Sequence, residues 1–286
     1  MSELDFSDWV GRRETLESRI SSQQAAQIHA TLGLPGAPAP QSGAAMPPLW
    51  HWCAFVPTVP TEDLARDGHP KLGGFLPPVP LQRRMWASAS LRFLRPLHVG
   101  ERLTRHSTIG NVQAKAGAAG PLVLVTVTHT VEGADGLAIE EEQNIVYLDI
   151  PDSFSPPRKQ PMPEAPAHHD TKTASEVLLF RYSALTFNAH RIHIDLPYAQ
   201  QVERYPGLVV HGPLQATWLM QLAHRVRGDW PTQFAFRGVH PMLLTPGESP
   251  QIDLMATAGE GNALSLCAGQ AGHQCTQATA SWERAK

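Results

Sequence analysis

The strongest constraint on this chain is an echo at half its length. The segment RFLRPLHVGE from Arg92 to Glu101 resembles RGVHPM from Arg237 to Met242, followed by Pro246, Gly247 and Glu248. Both read as a strand, a Pro-apolar corner, a Gly-Glu turn and a second strand. The two arginines lie 145 positions apart, so a tandem duplication of a β-rich unit is expected. The flanks agree. From Ala87 the segments ASASLRFLRPL, ERLTRHSTIGNV, PLVLVTVTHTVEG and LAIEEEQNIVYLDI follow one another with turn residues between them. LVLVTVTHTV alternates branched apolar residues with Thr, as a half-buried strand does. Residues 151–170 (PDSFSPPRKQPMPEAPAHHD) form a Pro-rich polar linker. The predicted organisation is therefore an N-terminal unit over 1–150, this linker, and a C-terminal unit over 171–286. Strand candidates in the second unit are the start of ASEVLLFRYSALT, then QFAFRGVHPML, SPQIDLMATAG, ALSLCAG and QCTQATASW.

Few helices are expected. Residues 7–31 place Trp9, Leu16, Ile20 and Ile28 at helical spacing, with Ser7 or Asp8 as cap and Gly33 and Pro35 as stop. The stretch PGAPAPQSGAAMPPLW is too rich in Pro and Gly for regular structure, and so is 69–82. Trp50–Val59 reads as a strand. Residues 195–204 suit a short helix with Pro197 in its first turn. Residues 213–227 (PLQATWLMQLAHRVR) start on Pro, repeat Leu214, Trp218, Leu222 and Val226, and end on His and Arg, which spells a full helix.

Composition removes several classes of protein. Among 286 residues, 23 Lys and Arg against 26 Asp and Glu give a net charge of −3, which leaves no electrostatic footprint for nucleic acid. No apolar run reaches the roughly 20 residues of a membrane span, and MSELDFSDWV lacks a signal-peptide pattern. Cys53, Cys267 and Cys275 form no CxxC pair and leave an odd thiol, which reads as a reduced, cytoplasmic protein.

The chemistry concentrates in the second unit. In RYSALTFNAHRIHID (Arg181–Asp195), Phe187, Ile192 and Ile194 are read as apolar anchors of a bend that presents Asn188, His190, His193 and Asp195. Eighteen residues after His193 comes Val209-Val210-His211-Gly212-Pro213, leading into the long helix. The first N–H groups of a helix are unpaired and sit at the positive end of its dipole. Glycine there lets a ligand oxygen come close. Such a group suits an enolate oxygen developing on a thioester carbonyl, opposite an Asn/His pair able to handle water. His190 and His193 are three apart but have no HExxH or cysteine companion, so no metal is implied.

Asn188, His190, Ile192-His193 and His211-Gly212 resemble the active-site signature of the MaoC-like or R-specific enoyl-CoA hydratase family. That family's pattern is Gly-Asp-x-Asn-Pro-Ile-His, followed some twenty residues later by His-Gly. The resemblance implies an α+β tandem (double) hot-dog fold, antiparallel sheets each wrapped around a central helix, with a degenerate first half. Only the half with residues 213–227 is expected to present a long helix led in by His-Gly. Asn188 stands where the family has its catalytic Asp, and His190 where it has Asn. That version resembles type 2 hydroxyacyl-thioester dehydratases and the mesaconyl-CoA or itaconyl-CoA hydratases, as does GGFLPPVPLQRRMWASASLRF in the first half.

The implied activity is reversible hydration of itaconyl-CoA or mesaconyl-C4-CoA to citramalyl-CoA in itaconate degradation, with the dehydratase of fatty-acid synthesis as alternative. No cofactor is expected beyond the coenzyme A of the substrate. In this reading His193 is the acid or base, Asn188 orients water and the Gly212 N–H holds the thioester oxygen, while Asp195, His190 or His211 orients His193. Arg84, Arg83, Arg191 and Arg237 are candidates for a substrate carboxylate. The implied partner is an acyl-CoA, without nucleic acid or membrane, and the implied assembly is a pseudo-dimeric monomer able to pair as a homodimer. The fold also hosts thioesterases, for which Asp195 or Glu203 would have to activate water, and acyl-CoA-binding sensors. The Glu140–Glu142 run reads as a solvated strand face and Trp50, Trp52 and Phe55 as core. His168 and His169 read as exposed linker residues. His29, His51, His98, His106, His129 and His240 receive no role.

Overall fold

Strand-forming sequence dominates both halves, and all the long strands join one sheet. The computed structural model describes residues 5–33, 36–117, 120–248 and 250–282. The first half contributes β1 (Arg13–Ser18), α1 (Ser22–Leu32), β2 (Arg83–Phe93), β3 (Leu103–Gly117), β4 (Gly120–Gly133) and β5 (Gly136–Leu148). The second contributes β6 (His168–Thr173), α2 (Glu176–Leu185), α3 (Leu196–Gln201), β7 (Leu208–Val209), α4 (Gly212–Arg227) and β8 (Gln233–Gly238). It ends with β9 (Leu243–Leu244), β10 (Gln251–Ala258), β11 (Ala263–Gln270) and β12 (His273–Ser281). The ten-stranded sheet runs β1-β3-β4-β5-β2-β8-β12-β11-β10-β6, and β7 pairs separately with β9.

Read from either end, that order is the same: β1 matches β6, β3 matches β10, β4 matches β11, β5 matches β12, and β2 matches β8. The pairings within the large sheet are antiparallel. The halves meet where β2 runs against β8, with Ser90 opposite Ala235, Arg92 opposite Gln233 and Ser88 opposite Arg237. Ser90 and Ala235 are themselves related by the offset read from the arginines, so the internal two-fold passes through that pair.

The second half wraps its strands around α4, as the period of 213–227 predicts. Leu214 to Ala223 are all buried, so the helix is enclosed on every side rather than lying on a surface. Its buried glutamines and threonine are hydrogen-bonded. Gln215 Nε2 donates to the Val210 carbonyl at 3.0 Å, and its Oε1 accepts from Thr276 Oγ1 at 2.7 Å. Among the described residues the first half has no such helix. Its inner sheet face is covered at one end by Met46, Leu49, Trp50 and Cys53 and at the other by Val79 with the 72–81 segment. Each fully buried Val, Leu or Phe side chain here contributes roughly 1.5–3 kcal/mol.

Several local expectations need correction. Residues 7–31 are not one helix: a short turn at Ser7–Trp9 precedes β1, and only Ser22–Leu32 is helical, capped by Ser21. Leu16 and Ile20 fit a helical period but lie on either side of the strand's end. Trp50–Val59 is a 3-10 turn (Trp50–Cys53) and a loop, not a strand. EVLLFRYSAL is α2, because Ser175 caps it by accepting from Leu178 N at 3.2 Å, while Leu179, Tyr182 and Ser183 turn inward. The linker ends sooner than expected, since β6 begins at His168 and pairs with β10; His168 and His169 are exposed strand residues.

The acidic run is not a solvated face throughout. Glu141 is 4 % exposed and accepts from His51 Nε2 at 3.0 Å, Trp52 Nε1 at 3.0 Å and Gln143 Nε2 at 2.8 Å. Against the opposing effect of burial, these donors and the nearby histidines hold its carboxyl down at about 2. Trp50 and Phe55 are core, and Trp52 packs edge-on to Trp86 (5.0 Å) and Phe236 (6.0 Å).

Candidate active site

Four stretches of chain converge beside the N-terminus of α4. The first is the turn after α2. Thr186 Oγ1 donates to the Tyr182 carbonyl at 2.8 Å and closes the helix. Phe187 then takes a left-handed φ of +48°, and Asn188 Oδ1 accepts from His190 N at 3.0 Å. This side-chain turn holds the motif open. Of the three expected anchors only Ile192 is buried, while Phe187 is 60 % and Ile194 43 % exposed; the hydrogen bonds make the bend instead.

The second stretch fixes the tautomer of His193. Its Nδ1 lies 2.7 Å from the Val209 carbonyl on β7. A carbonyl only accepts, so Nδ1 carries the proton and Nε2 keeps its lone pair. The ring stacks on His211 at 3.6 Å with an 18° tilt. Burial, then the charges of His211 and His190, push the His193 imidazole well below its ordinary value. His211 shares a 2.9 Å hydrogen bond with Ser183 Oγ, and burial drives it to about 3. His193 is thus a neutral base through the physiological range. Next along the chain, the Gly212 N–H opens α4 without a partner among the described residues, and a Cβ added there would meet nothing within 4 Å. That is open space for an oxygen at a helix dipole.

The third stretch contributes Glu203, which sequence reasoning weighed only for a thioesterase. It is 1 % exposed. Its Oε2 accepts from Arg83 Nε at 2.8 Å, and its carbonyl also accepts from Arg83. Glu203 Oε1 and His190 Nε2 both lack hydrogen-bond partners and face each other at 3.8 Å.

The fourth comes from the first half and was missed altogether. Asp67-Gly68-His69 is a tight turn pressed against the motif, with Arg191 N donating to the Asp67 carbonyl at 2.9 Å. Gly68 has φ +91°, and a Cβ on it would sit 1.9 Å from the Ala189 carbonyl, so only glycine fits. His69 Nδ1 donates to Asp67 Oδ2 at 2.8 Å, and the His69 ring lies 4.1 Å from His190, which is 5.4 Å from His193. Burial, then the Arg84 charge, push His69 down to about 3. The His69 hydrogen bonds hold the Asp67 carboxyl well below the usual range despite burial. The Gly-Pro punctuation of 69–82 marks this segment as irregular but gives no sign of where it docks.

Some expected members stand apart. Asp195 does not orient His193. It caps α3, accepting from Tyr198 N at 3.0 Å, and pairs with Arg191 at 2.7 Å; the Val209 carbonyl holds His193 instead. Arg191, stacked on Tyr198, is thereby occupied. Arg83 is committed to Glu203. Arg237 is exposed on the side of β8 opposite the buried Phe234 and Phe236, and bonds Gln277 at 2.8 Å. Two groups of described residues bring three ligand atoms within 4.8 Å: Asp67, His69 and His190, and His240, His273 and Cys275. In each group internal hydrogen bonds already join two members, Asp67 with His69 and His240 with His273 at 3.2 Å.

The arrangement can take a proton at His193 Nε2 while Gly212 N–H receives charge on an oxygen. The chain as a whole is similar to known proteins. The family described as Hydroxyacyl-thioester dehydratase type 2 matches residues 49–244. The chain is 45 % identical over 273 residues to Mesaconyl-C(4)-CoA hydratase of Chloroflexus aurantiacus, covering 91 % of this chain and 96 % of that one. It is 26 % identical over 249 residues to the mitochondrial Hydroxyacyl-thioester dehydratase type 2 of Schizosaccharomyces pombe, with 79 % and 78 % covered. Among solved structures, a MaoC-like dehydratase superposes with a TM-score of 0.72 at 14 % identity, over 98 % of this chain and all of that one. A Mycobacterium tuberculosis protein with a double hot-dog fold gives 0.55 at 14 % identity, over 95 % and 96 %. No described helix is long and apolar enough to cross a membrane. With its palindromic double hot-dog sheet and this match over most of its length, the chain belongs to the type 2 hydroxyacyl-thioester dehydratase family of MaoC-like proteins.

Proposed function

We propose that this chain is a hydro-lyase that reversibly hydrates a C5 dicarboxylyl enoyl-CoA, mesaconyl-C4-CoA foremost and itaconyl-CoA next, to citramalyl-CoA. One observation carries the chemistry: His193, its Nδ1 proton tied to Val209, offers a neutral Nε2 beside the unpartnered Gly212 N–H. The 45 % identity to the Chloroflexus enzyme supports the substrate. In the reaction on mesaconyl-C4-CoA, whose double bond is conjugated with the thioester, water loses a proton to His193 Nε2 as its oxygen bonds the β-carbon. The π electrons move onto the thioester oxygen, held by Gly212 N–H and the α4 dipole. The α-carbon then takes a proton from solvent as the carbonyl re-forms, and His193 returns its own to solvent. Asn188 positions the water through its amide and, being neutral, takes no proton itself.

The same steps reversed describe the dehydration of a 3-hydroxyacyl thioester, the second reading, which the family match and the yeast relative favour. We take residues 171–286 to carry the reaction and 1–150 to shape the acyl end, with coenzyme A entering only as part of the substrate. A cytoplasmic setting in itaconate degradation suits the three buried, unpaired thiols. Assembly as a pseudo-dimeric monomer or a homodimer of it belongs to the same reading.

The test is a panel of mesaconyl-C4-CoA, itaconyl-CoA, crotonyl-CoA and 3-hydroxybutyryl-CoA on purified protein. Loss of the conjugated enoyl absorbance from mesaconyl-C4-CoA, without free thiol, is expected. Thiol release would instead identify a thioesterase, and binding without turnover a sensor.

A further inference from the structure

We infer that Arg84, with the hydroxyl of Tyr147, binds the free carboxylate of the acyl group; this rests on the hydratase reading above. The chemistry of the substrate sets the requirement. In mesaconyl-C4-CoA the β-carbon that receives the hydroxyl also bears the carboxylate. The anion therefore lies next to the reacting carbon, and a cation must stand within reach of the His193 region. A desolvated carboxylate without such a partner is costly, and a guanidinium is the best match for it.

Three of the four arginines in question are spent. Arg83 is buried against Glu203 at 2.8 Å, Arg191 pairs with Asp195 at 2.7 Å, and Arg237 bonds Gln277 on the opposite face of the sheet. Arg84 is different. It is half-buried, and no carboxylate among the described residues lies within 4.0 Å of it. Its charge is felt at His69, whose ring is 4.1 Å from His190, itself 5.4 Å from His193. Directly across the β2–β5 pairing stands Tyr147, fully buried, whose hydroxyl touches the Arg84 side chain and has no acceptor for its own proton among the described residues. A buried hydroxyl with no acceptor, beside a guanidinium with no carboxylate, calls for an acceptor with two oxygens. Asp67, whose charge also reaches Tyr147, is turned to His69, from which its two oxygens accept at 2.8 and 3.0 Å. The absence of a carboxylate at 188 fits the same subsite, since an Asp there would repel the substrate anion.

The experiment measures kcat/KM of wild type, Arg84→Gln, Arg84→Lys and Tyr147→Phe on mesaconyl-C4-CoA and crotonyl-CoA, which lacks the carboxylate. For Arg84→Gln the ratio of mesaconyl to crotonyl activity should fall on the order of 10²-fold, mostly through KM, as when one partner of a buried charged pair is removed. Arg84→Lys should restore part of the ratio. Tyr147→Phe, which keeps the ring and its packing, should lower it about tenfold. Equal losses on both substrates in Arg84→Gln and Tyr147→Phe, or no change of ratio in either, would overturn the assignment alone. A wild-type enzyme that hydrates crotonyl-CoA but not mesaconyl-C4-CoA would overturn the substrate reading and the assignment with it.

Discussion

The two halves share one strand order and have come to opposite uses of it. In the second, the sheet encloses α4, and the site is built at the helix's first residue from His193, His211 and Gly212. In the first, the same space is filled by Pro- and Gly-broken chain, and its buried charge is Glu141, closed off by His51, Trp52 and Gln143. Each half therefore buries a carboxylate and several histidines. The difference lies in what is left open: both oxygens of Glu141 accept hydrogen bonds, whereas His193 Nε2 and Gly212 N–H have no partner among the described residues. Burial of polar groups alone does not mark a site; incomplete satisfaction next to a helix N-terminus does.

Substitutions that separate reaction from scaffold test this contrast. The largest effect is expected from His193→Ala, which should lower kcat on the order of 10²–10⁴-fold with circular dichroism unchanged; near-full activity would end the role assigned to His193. The wild-type pH profile should agree. Because burial lowers the His193 value, the base stays unprotonated at neutrality, and the acid limb of kcat/KM should fall below pH 6.5. A limb at or above that pH would contradict the buried neutral base.

Glu141→Gln should do the reverse of His193→Ala. The folded value of about 2 lies below the ordinary 4.5, so the contribution is whole above that ordinary value and fades as pH falls toward 2. The variant should lose up to about 3 kcal/mol in urea denaturation at pH 7, with the gap to wild type closing in acid. A loss of kcat with unchanged stability would break the contrast between the halves.

Two glycines refine it further. Gly68→Ala must force a strained φ and a clash with Ala189, costing about 1–3 kcal/mol and dragging activity down with it. Gly212→Ala meets no protein atom, so thermal stability should hold while kcat falls. The smallest effect belongs to Arg237→Ala, on the outer face, expected to leave kcat/KM within about twofold of wild type, the range of surface substitutions within ±0.5 kcal/mol.

Much of this molecule is legible in its sequence because the signals are local. Alternation in LVLVTVTHTV specifies a strand, Pro213 and the four-residue apolar spacing specify α4, and His193 and His211 fall within one short stretch that folds on itself. What is not legible depends on partners far along the chain. A period of two in β5 defines two faces but does not say that Glu141, rather than its charged neighbours, meets His51 and Trp52 some ninety positions away. β1 is a strand because β3 lies beside it, not because RETLES prefers to be one. Asp67 and His69 sit in a segment with no period at all, and their place at the site rests on a tertiary docking that only the small size of Gly68 permits.

The seam through Ser90 and Ala235 has a consequence for how such a protein can evolve. In a symmetric dimer of single units, each substitution is made twice, once at each copy of the site. A change that emptied one half of its helix would have emptied both. Fused into one chain, the two copies became free to mutate independently while the main-chain hydrogen bonds of β2 and β8 kept them in register. Loss of a helix on one side thus ceased to be a loss of the catalyst, and the space it left was taken by the Pro- and Gly-broken chain that also brings Asp67 and His69 against the other half's site.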